Sequence, residues 1–401
     1  MIKNSVVKKI LAVSFVAMLF IGFLRSDSLN TFLEISSLFN QKEASTDSEE
    51  EGLITLSDIE GAFTDKLLIK DNLIDLNGSF AKKLKMQGYY SDMGMYVTDD
   101  NYIVSASDAT STDYEFMQLV QFRDFLEENN ISFMYVNKPT KYTDDSLFEK
   151  EFGVKTYCNQ NADKLLERLE AMDINVLDLR QSMAEEGIKD RSMFYRTDHH
   201  WTAPAALWAT KKIAEGLNEK CGYSIDTSIF DEENFIADTY KECWLGEQGR
   251  KISKAYVGLD DYTKLLPINE TSYLFKDFYG NLHMGEFDYF INEAVYNLEN
   301  DVYENESWHY SYVMHDCINN FVDEGKVLLI GDSYDFLTQP FLSLGLHEID
   351  GIILRYYEDD FDLKQYILDN HYDTVIVAYA EFIIGSRDDE ENGNYRMFKL
   401  N

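Results

Sequence analysis

A chain of 401 residues exceeds what one hydrophobic core usually serves, so one large domain with an insertion, or two domains, is expected. Its 72 acidic residues against 36 basic ones give a net charge of −36, spread along the chain. That balance excludes nucleic acid as a partner, because phosphate binding needs clustered Lys and Arg.

At the N-terminus, Lys3, Lys8 and Lys9 precede an apolar run from Ile10 to Leu24, which Arg25 closes. As a helix the run measures roughly 22 Å at about 1.5 Å per residue, short of the about 20 residues of a full span. No A-x-A cleavage site follows it, and no Cys stands ready for lipidation. Residues 1–25 therefore read as a signal anchor or signal peptide, with the lysines inside and the remaining chain extracytoplasmic, anchored or secreted. Residues 26–60 read as a spacer containing the acidic, aperiodic "NQKEASTDSEEEG". The main domain is expected over 61–401, approached through irregular segments such as "DLNGSF" and "GYYSDMGMY".

An alternation of elements then begins. The helical pattern "TDYEFMQLVQFRDFLEENN" leads into the strand candidate "ISFMYVNKP", and the helix "QNADKLLERLEAM" into "INVLDLR". A third helix is predicted over Ala203–Leu217, after "FYRTDHHW". Between about 222 and 318 the alternation stops, and residues rich in Tyr, Phe, Asp and Glu predict a β-rich insertion that walls or roofs a pocket. It resumes with the buried strand Lys326–Ile330, a tight turn at Gly331, Asp332 and Ser333, and a helix ending near Gly345. The strands "IDGIILRYY" and "YDTVIVAYAEF" follow, with the helix "FDLKQYILDN" between them. The fold class is α/β, a parallel sheet flanked on both faces by helices.

Four cysteines, Cys158, Cys221, Cys243 and Cys317, show no ligand-like spacing, so no structural zinc and no cofactor is expected. Outside a cell Cys221 and Cys243 are one candidate pair among three complete pairings, between which sequence does not choose.

Chemistry gathers at the C-terminal ends of strands in such sheets. Ser333 stands there, where its hydroxyl faces a crevice and the N–H groups of the opening helical turn face an oxyanion. A serine nucleophile needs a histidine base oriented by a carboxylate, and "TDHHW" offers both in one loop. Each motif alone has a plainer reading: Gly-Asp-Ser is a common strand-end turn, Asp with two His suits zinc, and Trp201 and Trp208 suit a core or pocket wall. Their combination favours catalysis.

"MFYRTDHHWTAPAALWATKKIAE" with "VLLIGDSYDFLTQPF" resembles the DHHW protein family, related to the SGNH-hydrolase-like alginate O-acetyltransferase proteins of the AlgJ and AlgX kind. Supporting segments include "YVNKPTKY", "WLGEQGRKISKAYVGLDD" and "LRYYEDDFDL". The resemblance implies an SGNH-hydrolase-like fold with a circularly permuted motif order, with Asp198 as the orienting acid, His200 as the base and Ser333 as the nucleophile. His199 falls on the variable position of the pattern. In an extended loop Asp198 and His200 share one side and His199 points away.

For the oxyanion hole the candidates are Gly246, Gly249, Asn319 and Asn320. Arg355 with Tyr356 and Tyr357 suits substrate positioning, and His199 and Trp201 suit the site wall. Glu247 stands where relatives of the family tend to carry a small hydroxyl residue. The expected activity is acyl, in the family acetyl, transfer to an envelope or exported polysaccharide, or ester hydrolysis, with a membrane-bound acyl donor as the implied partner. The alternatives are a surface-anchored glycan-binding or assembly protein without turnover, and a zinc hydrolase using Asp198, His199 and His200.

Overall fold

In a computed structural model of the chain, residues 70–276, 281–291, 302–303, 316–357, 360–385 and 393–400 are described. The anchor or signal segment expected at 1–25 and the spacer at 26–60 lie outside them. Among the described residues no helix is long and apolar enough to cross a membrane. The chain divides into two units, residues 1–84 and 85–401.

The described part of the first unit is a helix, Lys70–Lys83, of 14 residues. Sequence reading expected irregular chain here; the helix instead runs through Asn77-Gly78, a pair that favours turns.

The second unit is built on an eight-stranded mixed sheet. Its strands are β3 (Ser132–Lys138), β4 (Val176–Asp178), β7 (Tyr273–Lys276), β8 (Leu282–Gly285), β9 (Asp316–Asn319), β10 (Lys326–Ile330), β11 (Glu348–Ile352) and β12 (Thr374–Ala380). Their spatial order is β4-β3-β12-β10-β11-β9-β7-β8. The first five are mutually parallel, and β9, β7 and β8 add an antiparallel edge. Two hairpins stand apart from this sheet: β1 (Met95–Val97) with β2 (Ile103–Ser105), and β5 (Phe235–Trp244) with β6 (Asp260–Pro267). The inserted region thus divides, with β5 and β6 forming a separate hairpin while β7 to β9 extend the sheet.

Side-chain alternation on the parallel strands splits the core in two. Met134, Val136, Val327, Leu329 and Ile376 face one layer; Phe133, Tyr135, Leu328, Ile330, Val375 and Val377 face the other. Helices cover both faces: α1 (Asp113–Glu128), α2 (Cys158–Glu170), α3 (Ala203–Cys221), α4 (Asp335–Leu342) and α5 (Leu363–Asn370). Helix α3 starts sharply because Thr202 accepts a hydrogen bond from Ala205 N and a proline sits in the first turn. Gly222, at φ 79°, ends it in the left-handed conformation that glycine adopts freely.

Parallel register brings β3, β12, β10 and β11 to one edge, with Lys138 opposite Ala380 and Ile330 opposite Ile352. The functional motifs follow these ends. All four cysteines are free thiols, so Cys221 and Cys243 do not pair.

Candidate active site

The loop 194–201 is closed as a narrow hairpin. Phe194 and Trp201 form an isolated bridge, Tyr195 N donates to His200 O (3.1 Å), and Thr202 N to Met193 O (2.9 Å). At its tip, His200 N donates to Asp198 Oδ1 (3.0 Å), an Asx-type turn. That turn aims the His200 ring back at the same carboxylate: Nδ1 hydrogen-bonds Asp198 Oδ1, and Nε2 lies 2.8 Å from Ser333 Oγ. Asp198, His200 and Ser333 thus form one hydrogen-bonded chain, nearly all of it buried.

His199 does not point away. Its Nδ1 lies 3.4 Å from Asp198 Oδ1, and its ring packs on that of His200 with centroids 3.9 Å apart. The backbone turn between residues 198 and 200 breaks the two-sided alternation of an extended strand. Burial drives the Asp198 carboxyl upward, but the two imidazoles and the hydrogen bonds from His200 overcome it and hold the carboxyl well below its ordinary range. Burial, aided by His200 beside it and opposed by Asp198, lowers His199 to about 4, leaving it neutral near pH 7.

The inserted region fastens this loop. Asp260, at the start of β6, accepts from Thr197 N (2.8 Å), Thr197 Oγ1 (2.6 Å) and Arg196 N (3.0 Å). Gly246 N donates to Thr197 Oγ1 (2.8 Å), and Glu247 N to Asp198 Oδ2 (2.8 Å). Gly246 lies against Asp198, where an added Cβ would collide with the Asp198 side chain and come within 2.7 Å of Thr197 O. It therefore supports the acid. The Glu247 carboxylate pairs with Lys251 at 2.6 Å on the surface.

The turn after β10 is held from below by Lys138, which is fully buried at the end of β3. Its Nζ contacts Asp332 Oδ1 at 2.8 Å and Asp335 Oδ2 at 2.6 Å. Asp332 also accepts from Tyr334 N (2.9 Å) and Ala380 N (2.7 Å). Burial and the Asp332 charge push Asp335 up, to about 6, against the pull of Lys138. Two reciprocal contacts join the motifs: Trp201 Nε1 donates to Tyr334 O (3.1 Å), and Tyr334 Oη to His199 O (2.6 Å). Trp201 is thus a brace for the residue after Ser333.

Arg355 and Tyr356 follow β11 at the same sheet edge, the guanidinium 5.6 Å from the Tyr356 ring centroid. Among the described residues neither hydrogen-bonds the Asp198–His200–Ser333 chain. Asn320 is elsewhere: it follows β9, which runs antiparallel to β11, and its side chain donates to Ser272 Oγ (3.0 Å). Asn319 donates to Ser343 O (3.0 Å), also at the far edge. Neither asparagine reaches the site.

Sequence reading quoted "YVNKPTKY" without assigning its lysines. Lys141 is buried and donates to Ile103 O (2.6 Å) and Arg196 O (3.3 Å). Burial lowers it to about 7, against the charges of Asp198 and Asp260. The signal was available: two lysines flanking a proline at the end of an otherwise apolar strand. Glu381, after β12, holds Thr140 N (2.9 Å) and Oγ1 (2.7 Å) and thereby the same loop.

The ligating atoms of Asp198, His199 and His200 lie within 4.8 Å of one another, a spacing that admits one ion. Both ring nitrogens of His200 are, however, engaged in the hydrogen-bonded chain.

Residues 92–241 match the family model described as the SGNH hydrolase-like domain of the acetyltransferase AlgX. Among curated proteins no sequence matches the chain. A solved structure of Bacillus cereus PatB1 is similar at a TM-score of 0.60 and 20% identity, over 77% of this chain and 99% of that one. The same protein with a sulfonyl adduct gives 0.58 and 20%, over 76% and 97%. A DHHW family protein from Eubacterium siraeum gives 0.55 and 17%, over 77% and 94%. The fold is the SGNH-hydrolase-like α/β fold, and the resemblance carried by the two motifs is borne out.

Proposed function

We propose that the chain is an extracytoplasmic serine acyltransferase or esterase acting on a polysaccharide, with Asp198, His200 and Ser333 as its triad. The observation that carries this is the unbroken chain from Asp198 through both nitrogens of His200 to Ser333 Oγ. With Nδ1–H donated to Asp198, Nε2 is the acceptor for the serine proton. The matched family, whose name is that of an acetyltransferase, supports acyl transfer. The basic residues before Ile10–Leu24 support an extracytoplasmic site.

Ser333 Oγ attacks the acyl carbonyl carbon of an ester donor while His200 Nε2 takes its proton. The tetrahedral adduct collapses, the donor C–O bond breaks, and the departing alkoxide takes the proton from His200. A polysaccharide hydroxyl then attacks acyl-Ser333, again losing its proton to His200, which returns it to Ser333 Oγ; with water as acceptor the outcome is hydrolysis. Asp198 stays ionised throughout and stabilises the imidazolium. The Ser333 backbone N–H has no hydrogen-bond partner among the described residues, which leaves it available as an oxyanion donor.

The test is to supply an aryl ester with and without oligosaccharide acceptors and to follow release of the aryl alcohol and acylation of the sugar. Activity that disappears in Ser333→Ala supports the reading; activity that survives that change, or that tracks bound zinc, overturns it.

A further inference from the structure

A cavity of about 350 Å³ opens beside the triad, bounded by His199, Gln248 and Tyr334 on the triad side. Each is a chain neighbour of a site group: His199 of His200, Tyr334 of Ser333, and Gln248 of Glu247, whose N–H holds Asp198. Ile103, Val104, Ala106 and Phe148 give the remaining walls much of their apolar surface, and Phe382 packs edge-on against His199.

Most of the polar side chains around this cavity are already paired with the protein. Lys141 is spent on two carbonyls. The Asp145 carboxylate accepts from Asn159 and Gln160, Thr140 donates to Glu381, and Thr156 accepts from Ser107 N. A sugar ring placed here would leave several hydroxyls desolvated without partners, which is costly. One buried polar atom of the lining has no partner, Gln248 Oε1. A carboxamide can turn either its oxygen or its nitrogen inward, so it serves one polar group of an otherwise apolar guest.

We infer that this cavity receives the hydrocarbon chain of the acyl group, and that the acyl group this chain handles is longer than acetyl. The inference rests on the proposed acylation of Ser333 and deepens it by naming the acyl class. At roughly 30 Å³ per water-sized group, a two-carbon acyl group leaves most of the cavity to water. A chain of about eight carbons with its two ester oxygens, roughly 300 Å³ by the same measure, occupies most of it, with its ester end toward Gln248 and Ser333.

Two measurements test this. With nitrophenyl esters from acetate to decanoate and the full chain as enzyme, kcat/KM rises about fourfold per added methylene to a maximum near hexanoate or octanoate. Ala106→Trp, which fills the cavity, lowers the octanoate-to-acetate ratio at least tenfold. Independently of turnover, calorimetry on Ser333→Ala detects octanamide but not acetamide, and Ala106→Trp in that background abolishes the octanamide signal. A flat or falling ester series without octanamide binding overturns the inference while leaving the proposed function intact. Octanamide binding without any ester turnover supports the cavity assignment and sinks the proposed function.

Discussion

His199 and His200 share one carboxylate but stand differently toward Ser333, and that difference is testable residue by residue. His200→Ala removes the imidazole that hydrogen-bonds Ser333 Oγ and is expected to lower kcat about a thousandfold or more. His199→Phe keeps a ring against His200 and is expected to cost less than about tenfold. If the two losses are equal in steady-state kinetics, the assignment of the base fails. Sequence alone brought Asp198, His200 and Ser333 forward because a strand-end serine and an acid-histidine loop are each readable. The choice between the histidines came from the family pattern. The position of His199 was not legible, because it depends on an Asx turn that only the folded loop reveals. For Gly246 and Asn320 local sequence gave residue type but no direction: one braces the acid, and the other sits at the opposite edge of the sheet.

At the scale of elements, the site depends on how strand ends are tied. Lys138→Met leaves the buried Asp332 and Asp335 facing each other without a cation. Removing one partner of such a group costs about 3–5 kcal/mol, measurable as a lower urea midpoint. Gly246→Ala has no room beside Asp198, so it is expected to lower kcat at temperatures where circular dichroism still shows a folded chain. Unchanged kcat in that variant would mean that the acid is not held from this side. The apolar runs of β3, β10 and β12 were legible because strands buried on both faces need little polar alternation. The joining of β7, β8 and β9 to the sheet was not, since antiparallel partners distant in sequence leave no local period. The helix Lys70–Lys83 was hidden by its central Asn-Gly.

Across the whole molecule, the site closes over a separation of 133 residues between His200 and Ser333, and its stability is tied to buried acids. Glu381 is pushed up to about 7 by burial, against the opposing charge of Arg180. An acid whose pKa is raised on folding adds stability that is full below its unfolded value, near 4.5, and is lost as pH rises through about 7. The thermal midpoint is therefore expected to fall between pH 5 and 8, and Glu381→Gln to flatten that slope; an unchanged slope in the variant removes Glu381 as its source. Repulsion within a chain of net charge −36 acts in the same direction, and added salt reduces it. The account as a whole turns on whether Ser333 becomes acylated. Intact-mass and peptide mass spectrometry after brief exposure to an aryl acyl ester should find one acyl group on Ser333, absent from Ser333→Ala and failing to form at a useful rate in His200→Ala. A protein that remains unmodified, or one modified equally in Ser333→Ala, would contradict it.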